Sequence, residues 1–178
     1  TLAPKLTEIF RDTFPHVNLV IHDFENSLAS KLMSENSYDL VLFNIDKDDL
    51  SAYDPPDTYT SAPIILDSMV AICSKDSSLA KHRSVTSAKL CQYDLVLFHT
   101  NPYNEMWGYE RTFSRKNISP KSVTQCNIES SFFKMIQGDT ISLYGKIAFK
   151  NVPFKDHYDL TTIKIKDSSD FFYVLNTL

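Results

Sequence analysis

With 178 residues, 43% of them hydrophobic and 22% charged, the chain has the length of one ordinary domain or two small lobes, and its composition excludes global disorder. Its 18 basic and 22 acidic side chains leave a net charge of −4, and the densest basic stretch, Lys81-His82-Arg83, is short enough to be a solvated turn, so a nucleic-acid grip by this segment itself is not expected. Three cysteines, Cys73, Cys91 and Cys126, lack CxxC spacing and suit a reducing cytoplasm, and no apolar run reaches membrane-spanning length.

Leu2, Leu6, Ile9, Phe10 and Phe14 recur at spacings of three and four, which predicts a helix over 3–14, stopped by Pro15. Alternation over Val17–Asp23 predicts a strand. Asn26 or Ser27 is suited to cap the next helix, which carries Leu28, Leu32 and Met33. The apolar run Asp39–Asn44 reads as a buried strand of a parallel sheet. Helix, strand, helix and strand in that order imply crossover connections and an α/β fold.

Residues 45–61, with Pro55-Pro56, form a loop, and Ala62–Ser74 holds apolar runs around Asp67-Ser68 that read as strands. The polar stretch 75–85 is a crossover into a second lobe. There Thr86 caps a short helix ending near Leu90, and Asp94–Phe98 is another buried strand with the same five residues as Asp39–Phe43. A loop over 99–103 precedes a helix over 104–116 with Met106, Tyr109 and Phe113 on one face. Ser122–Gln125 is a strand, and Asn127 is positioned to cap a helix that Gly138 stops. Ile141–Tyr144, Leu160–Ile165 and Phe171–Leu175 complete the strands, with a short helix over 146–150 and a turn at Asp167–Asp170.

Catalytic signatures are missing. Gly108, Gly138 and Gly145 form no phosphate cradle, and there is no nucleophile elbow. His16, His22, His82, His99 and His157 stand apart without HExxH, and a Cys126–His99 nucleophile has no local signature. Asp46-Lys-Asp-Asp49 lacks the glycine and closing Glu of a calcium loop. No catalytic residue, metal or cofactor is therefore expected. What the sequence does offer is three strand-to-helix junctions, at 24–27, 99–104 and 125–130, rich in Ser, Thr and Asn. In open α/β sheets, small ligands collect at such places.

Several segments, taken in order, resemble the effector-binding domain of LysR-type transcriptional regulators. They are Leu2-Ala-Pro4 with Leu6, Phe10, Phe14-Pro15 and Val17-Asn-Leu19; Asp39-Leu-Val-Leu42; Met69-Val-Ala-Ile72 with Ser78-Leu-Ala80; Leu95–Phe98; and Met135-Ile-Gln-Gly138 with Ile141-Ser-Leu143. Thr140 stands where the family's second glycine is usual. The resemblance implies a two-lobed type 2 periplasmic-binding-protein-like α/β fold, each lobe a mixed, mainly parallel sheet flanked by helices. Lobe I would comprise 1–74 and 166–178, and lobe II 75–165. The family's first strand and its winged helix-turn-helix would precede Thr1, and its last helix would follow Leu178. A small-molecule effector would sit between the lobes on Asn26, Ser27, Phe43, Asn44, Thr100, Asn101, Gln125, Cys126 and Asn127. Partners would be a homodimer or tetramer through helices 3–14 and 104–116, with DNA bound only through the winged helix-turn-helix and no membrane. The location would be cytoplasmic. A transporter's solute-binding protein and an enzyme on the same fold are the alternatives.

Overall fold

The computed structural model describes residues 3–22, 24, 28–98, 107–152 and 155–178. The elements run α1 (Ala3–Thr13), α2 (Ala29–Ser34), β1 (Leu40–Asp46), β2 (Thr60–Ser74), β3 (Ser84–Val85), α3 (Ser87–Leu90), β4 (Asp94–Phe98), α4 (Trp107–Thr112), β5 (Ser122–Cys126), α5 (Glu129–Met135), β6 (Thr140–Gly145), α6 (Lys146–Lys150), β7 (Leu160–Ile165) and β8 (Asp170–Thr177). The expected mixed α/β architecture is present.

The organising element is β2, which belongs to two sheets. Its first half pairs antiparallel with β8, from Thr60↔Thr177 to Ser68↔Asp170, and β8 in turn pairs antiparallel with β1. Beyond Ser68 the same strand pairs with β6 (Met69↔Gly145) and with β7 (Val70↔Lys164), both antiparallel. β4 then adds parallel to β6 and β5 parallel to β4. Where separate strands are expected over Ala62–Ser74, there is one strand with a register shift between Pro63 and Ile65. Asp67-Ser68 changes the partner without ending the strand. Asp39–Asn44 is also a strand, but an antiparallel one at the sheet edge, because the chain's last segment folds back beside it.

Period-two alternation sorts the second sheet's side chains onto two faces. Ala71, Cys73, Leu95, Leu97, Ile141 and Ile163 face Leu79, Leu90 and Phe113 on one side. Ile72 and Val96 face Phe132, Phe133, Ile136 and Phe149 on the other. Both faces are thus covered by helices, as the apolar run Asp94–Phe98 predicts. The first sheet buries Val41, Phe43, Ile45 and Val174 against Ala29 and Met33 of α2. Each such buried side chain contributes about 1.5–3 kcal/mol.

Val17–His22 forms no strand. A strand exists through a ladder of backbone hydrogen bonds to a neighbouring strand, and among the described residues this segment pairs with none; Val17, Val20 and Ile21 remain 54%, 66% and 56% exposed. Two helix starts also differ. Ile128, not Asn127, occupies the cap position of α5, with no side-chain cap, because the chain stays extended one residue longer after β5. The helix expected over 104–116 is described from Trp107 and gives way after Thr112 to a 3-10 turn at Ser114–Lys116, closed by Asn117 at φ 54°. The candidate cap residues Asn26 and Ser27 lie outside the described residues.

Thr86 caps α3 as expected, its hydroxyl accepting the Lys89 N–H at 3.3 Å. Replacing Thr86 with Ala removes one of that donor's two acceptors and leaves it the Thr86 carbonyl oxygen at 3.0 Å. A loss of about 1 kcal/mol is expected in urea unfolding, and a loss below about 0.3 kcal/mol would show the cap to be idle.

Candidate functional site

β4 and β5 run parallel and end together, Phe98 opposite Cys126, and α5 starts three residues beyond β5. This brings Gln125, Cys126 and Asn127 to one carboxyl edge beside Phe98. Gln125 and Asn127 are exposed, and Cys126 is half-buried, its thiol 3.4 Å from the Ile128 carbonyl oxygen. Phe98, 37% exposed, lies over the Phe132 ring at 5.4 Å, and Ile128 is 58% exposed. The edge therefore offers an amide pair, a thiol and an apolar wall, a combination suited to a small ligand with both polar and apolar parts.

The remaining expected site residues fall differently. Phe43 is 8% exposed in the first sheet's core, its ring 5.4 Å from that of Tyr53, while Asn44 points to the opposite face of β1 and is half-buried. Both residues lie inside β1, where successive side chains leave opposite faces, so they do not line one surface. Asn26, Ser27, Thr100 and Asn101 lie outside the described residues. Among the described residues no cluster of His, Cys, Asp or Glu could hold a metal ion. Cys73 is fully buried, and burial pushes its thiol up to about 11, so it is an inert core residue. Burial likewise pushes the Tyr144 phenol of β6 up to about 12, with the Glu129 carboxylate adding to the rise.

A second polar feature lies where β2 changes sheets. Arg111 of α4, 4% exposed, pairs with Asp46 at the end of β1 and donates to the Ser169 and Asp170 carbonyl oxygens at 2.8 and 3.2 Å. Its guanidinium sits 4.4 Å from the Trp107 ring centre and 5.3 Å from that of Phe171. Arg115 adds a 2.5 Å contact to the same carboxylate. α4 itself packs against the second sheet: a Cβ on Gly108 would meet Met69 at 3.3 Å and Leu143 at 3.5 Å. Arg111 thus ties a helix of one sheet to strands of the other. The sequence carries no signal for this pair, which is separated by 64 intervening residues.

Two α/β sheets sharing a strand, with polar side chains gathered at parallel carboxyl ends, define a ligand-binding domain of the two-lobed kind. Residues 1–143 match the profile of the LysR substrate binding domain, and the chain belongs to that family. Its fold is shared by the regulatory domain of MetR, a LysR family regulator from N. meningitidis (TM-score 0.70, 19% identity, 99% of this chain and 77% of that one). The effector binding domain of QuiR in complex with shikimate is similar (TM-score 0.67, 17% identity, 99% and 80%). Full-length BenM carrying E226K gives TM-score 0.73 at 11% identity, with 99% of this chain covering 56% of that chain. The chain thus spans little more than half of that full-length regulator. No curated protein matches the sequence. Domains of this family are regulatory and bind small-molecule effectors, so the solute-binding-protein and enzyme alternatives give way. Among the described residues no helix is long and apolar enough to cross a membrane.

Proposed function

We propose that the chain is the effector-sensing part of a cytoplasmic, DNA-binding LysR-type regulator. A small metabolite binds between a lobe of residues 1–74 and 166–178 and a lobe of residues 75–165. The observation that carries this is the family match over 1–143, combined with Gln125, Cys126 and Asn127 standing at the paired carboxyl ends of β4 and β5. Asn44, Asn26, Ser27, Thr100 and Asn101 complete the polar lining, with Phe43 supporting it from the core beneath Asn44. The ligand switches the protein only by binding one lobe or subunit arrangement better than another. Winged helices joined to this domain then move on DNA. Pairing of subunits through α1 and the 104–116 region is supported by Leu6 and Ile9, which leave α1's apolar stripe 38% and 51% exposed at those positions.

The test is thermal stabilisation by a panel of amino acids, organic acids, sugars and nucleosides. At least one compound is expected to raise the melting temperature. In Asn127→Trp the shift from that compound should vanish while the unliganded melting temperature stays put, since Asn127 is exposed. A shift retained in Asn127→Trp overturns the pocket. Silence across the panel would favour a domain that serves subunit pairing alone.

A further inference from the structure

Beside α6 on the second sheet lies a recess of about 480 Å³ that the effector reading does not use. It is built by α6, by the 3-10 turn Lys155–His157 and by the adjoining ends of β2 and β7. In the strand order β5-β4-β6-β2-β7 it sits at the β2/β7 side, away from Gln125–Asn127 on β5. Four lysines line it: Lys75, Lys146, Lys150 and Lys155. Asp156 and Asp159 are the acids present, so four positive charges against two negative leave it two charges positive.

The arrangement of those charges suits an anionic ligand. Lys75 is already matched by Asp159 at 2.6 Å. Lys155 donates to the Lys150 carbonyl oxygen, which holds its ammonium at the carboxyl end of α6. Lys146 and Lys150 stand four residues apart on α6, the spacing at which like charges repel across one helical face. Neither forms an ion pair with an acid among the described residues. The wall between them is the Phe149 ring, 7% exposed, and the rim carries the half-buried hydroxyl residues Thr161 and Thr162. Volume, charge surplus and hydroxyls together describe a pocket for something compact and at least doubly negative.

We propose that this recess binds a small polyanion, a phosphorylated or polycarboxylated metabolite, at a site separate from the effector cleft. Lys146 and Lys150 clamp the charge, while Thr162, on the same face of β7 as Leu160, donates a hydrogen bond to its oxygens. Lys75–Asp159 and Lys155 form a fixed border that limits the ligand's size. Occupancy relieves the repulsion along α6. That helix begins one residue after Gly145, where β6 ends at the crossing between sheets, so a ligand here reaches the element that adjoins the crossing.

The experiment is calorimetric titration of the 178-residue chain with pyrophosphate and, separately, with citrate. At least one is expected to bind, and the Lys146→Gln/Lys150→Gln double variant should bind it at least about tenfold more weakly, a loss of about 1.4 kcal/mol. A Lys89→Gln/Lys121→Gln variant, with the same charge removed from lysines that have partners elsewhere, should bind within about twofold of the parent chain. Pyrophosphate binding without citrate assigns a phosphorylated ligand; the reverse assigns a polycarboxylate. The proposal falls if neither anion binds, or if both double variants weaken binding equally. It also falls if a short DNA duplex competes at equal charge concentration, which would make the lysines a nucleic-acid patch. Asn127→Trp should leave this binding intact, so failure here and failure of the effector cleft are separable.

Discussion

Replacing Arg111 with Met should lower the unfolding free energy by about 3–5 kcal/mol, the range for breaking one half of a buried ion pair. The side chain is nearly sealed from water, and three groups depend on it: the Asp46 carboxylate and the Ser169 and Asp170 carbonyl oxygens. Methionine fills much of the space beside Trp107 and Phe171 but donates nothing. Asp46, itself 6% exposed, keeps only the half-exposed Arg115. Urea unfolding of Arg111→Met, Asp46→Leu and the double variant separates the contributions. The double variant should recover much of the loss, because two apolar side chains owe each other no hydrogen bonds. Additive losses would mean that Arg111 works mainly through the two carbonyl oxygens. A cost below about 1 kcal/mol in Arg111→Met would show that α4 is not anchored to β1 and β8 by this pair.

The contrast between legible and illegible parts follows from where each signal resides. Asp94–Phe98 could be placed because both its faces are covered and the four residues after Asp94 are apolar. Thr86 could be placed because a cap acts within four residues. Val17–His22 alternates as a strand does, yet alternation specifies only two unlike faces and not the hydrogen-bonded neighbour that makes a strand. The continuity of β2 was hidden for a related reason. Asp67-Ser68 looks like a break between two apolar runs, but each polar group there has a partner from a distant segment: Asp67 takes amides from residues 147 and 148, and Ser68 pairs with Asp170. At the candidate site, Gln125 to Asn127 follow directly from the end of a recognisable strand. Separating Phe43 from Asn44 required knowing which face of β1 meets α2, and the Asp46–Arg111 tie is visible only when the chain is folded.

Asp67→Ala should cost about 2–4 kcal/mol, on the scale of several bonds to one buried charged acceptor. The residue is 3% exposed, and its carboxylate accepts the Ser68 N–H at 2.7 Å, the Ile147 N–H at 3.0 Å and the Ala148 N–H at 3.4 Å. Those amides belong to the switch point of β2 and to the first turn of α6, so one side chain fixes both. Gly145 is part of the same device: a Cβ there would come within 2.7 Å of an Asp67 oxygen, so the absence of a side chain lets the carboxylate reach α6. Burial first and the Asp67 carboxylate second push the pKa of the Tyr173 phenol up and so disfavour its ionisation. Alanine removes the carboxylate that accepts from the first turn of α6, whereas asparagine retains one oxygen and should cost less than alanine. Urea unfolding measures the total, and amide exchange shows where it is felt. Ile147 and Ala148 should exchange faster in Asp67→Ala, by a larger factor than core amides of β4 such as Val96. Uniform acceleration through the second sheet would instead mean that Asp67 stabilises the whole domain and does not hold α6 in place. Faster exchange confined to α6 would locate a separable unit at the crossing, the unit through which the lysine recess and the two sheets are mechanically connected.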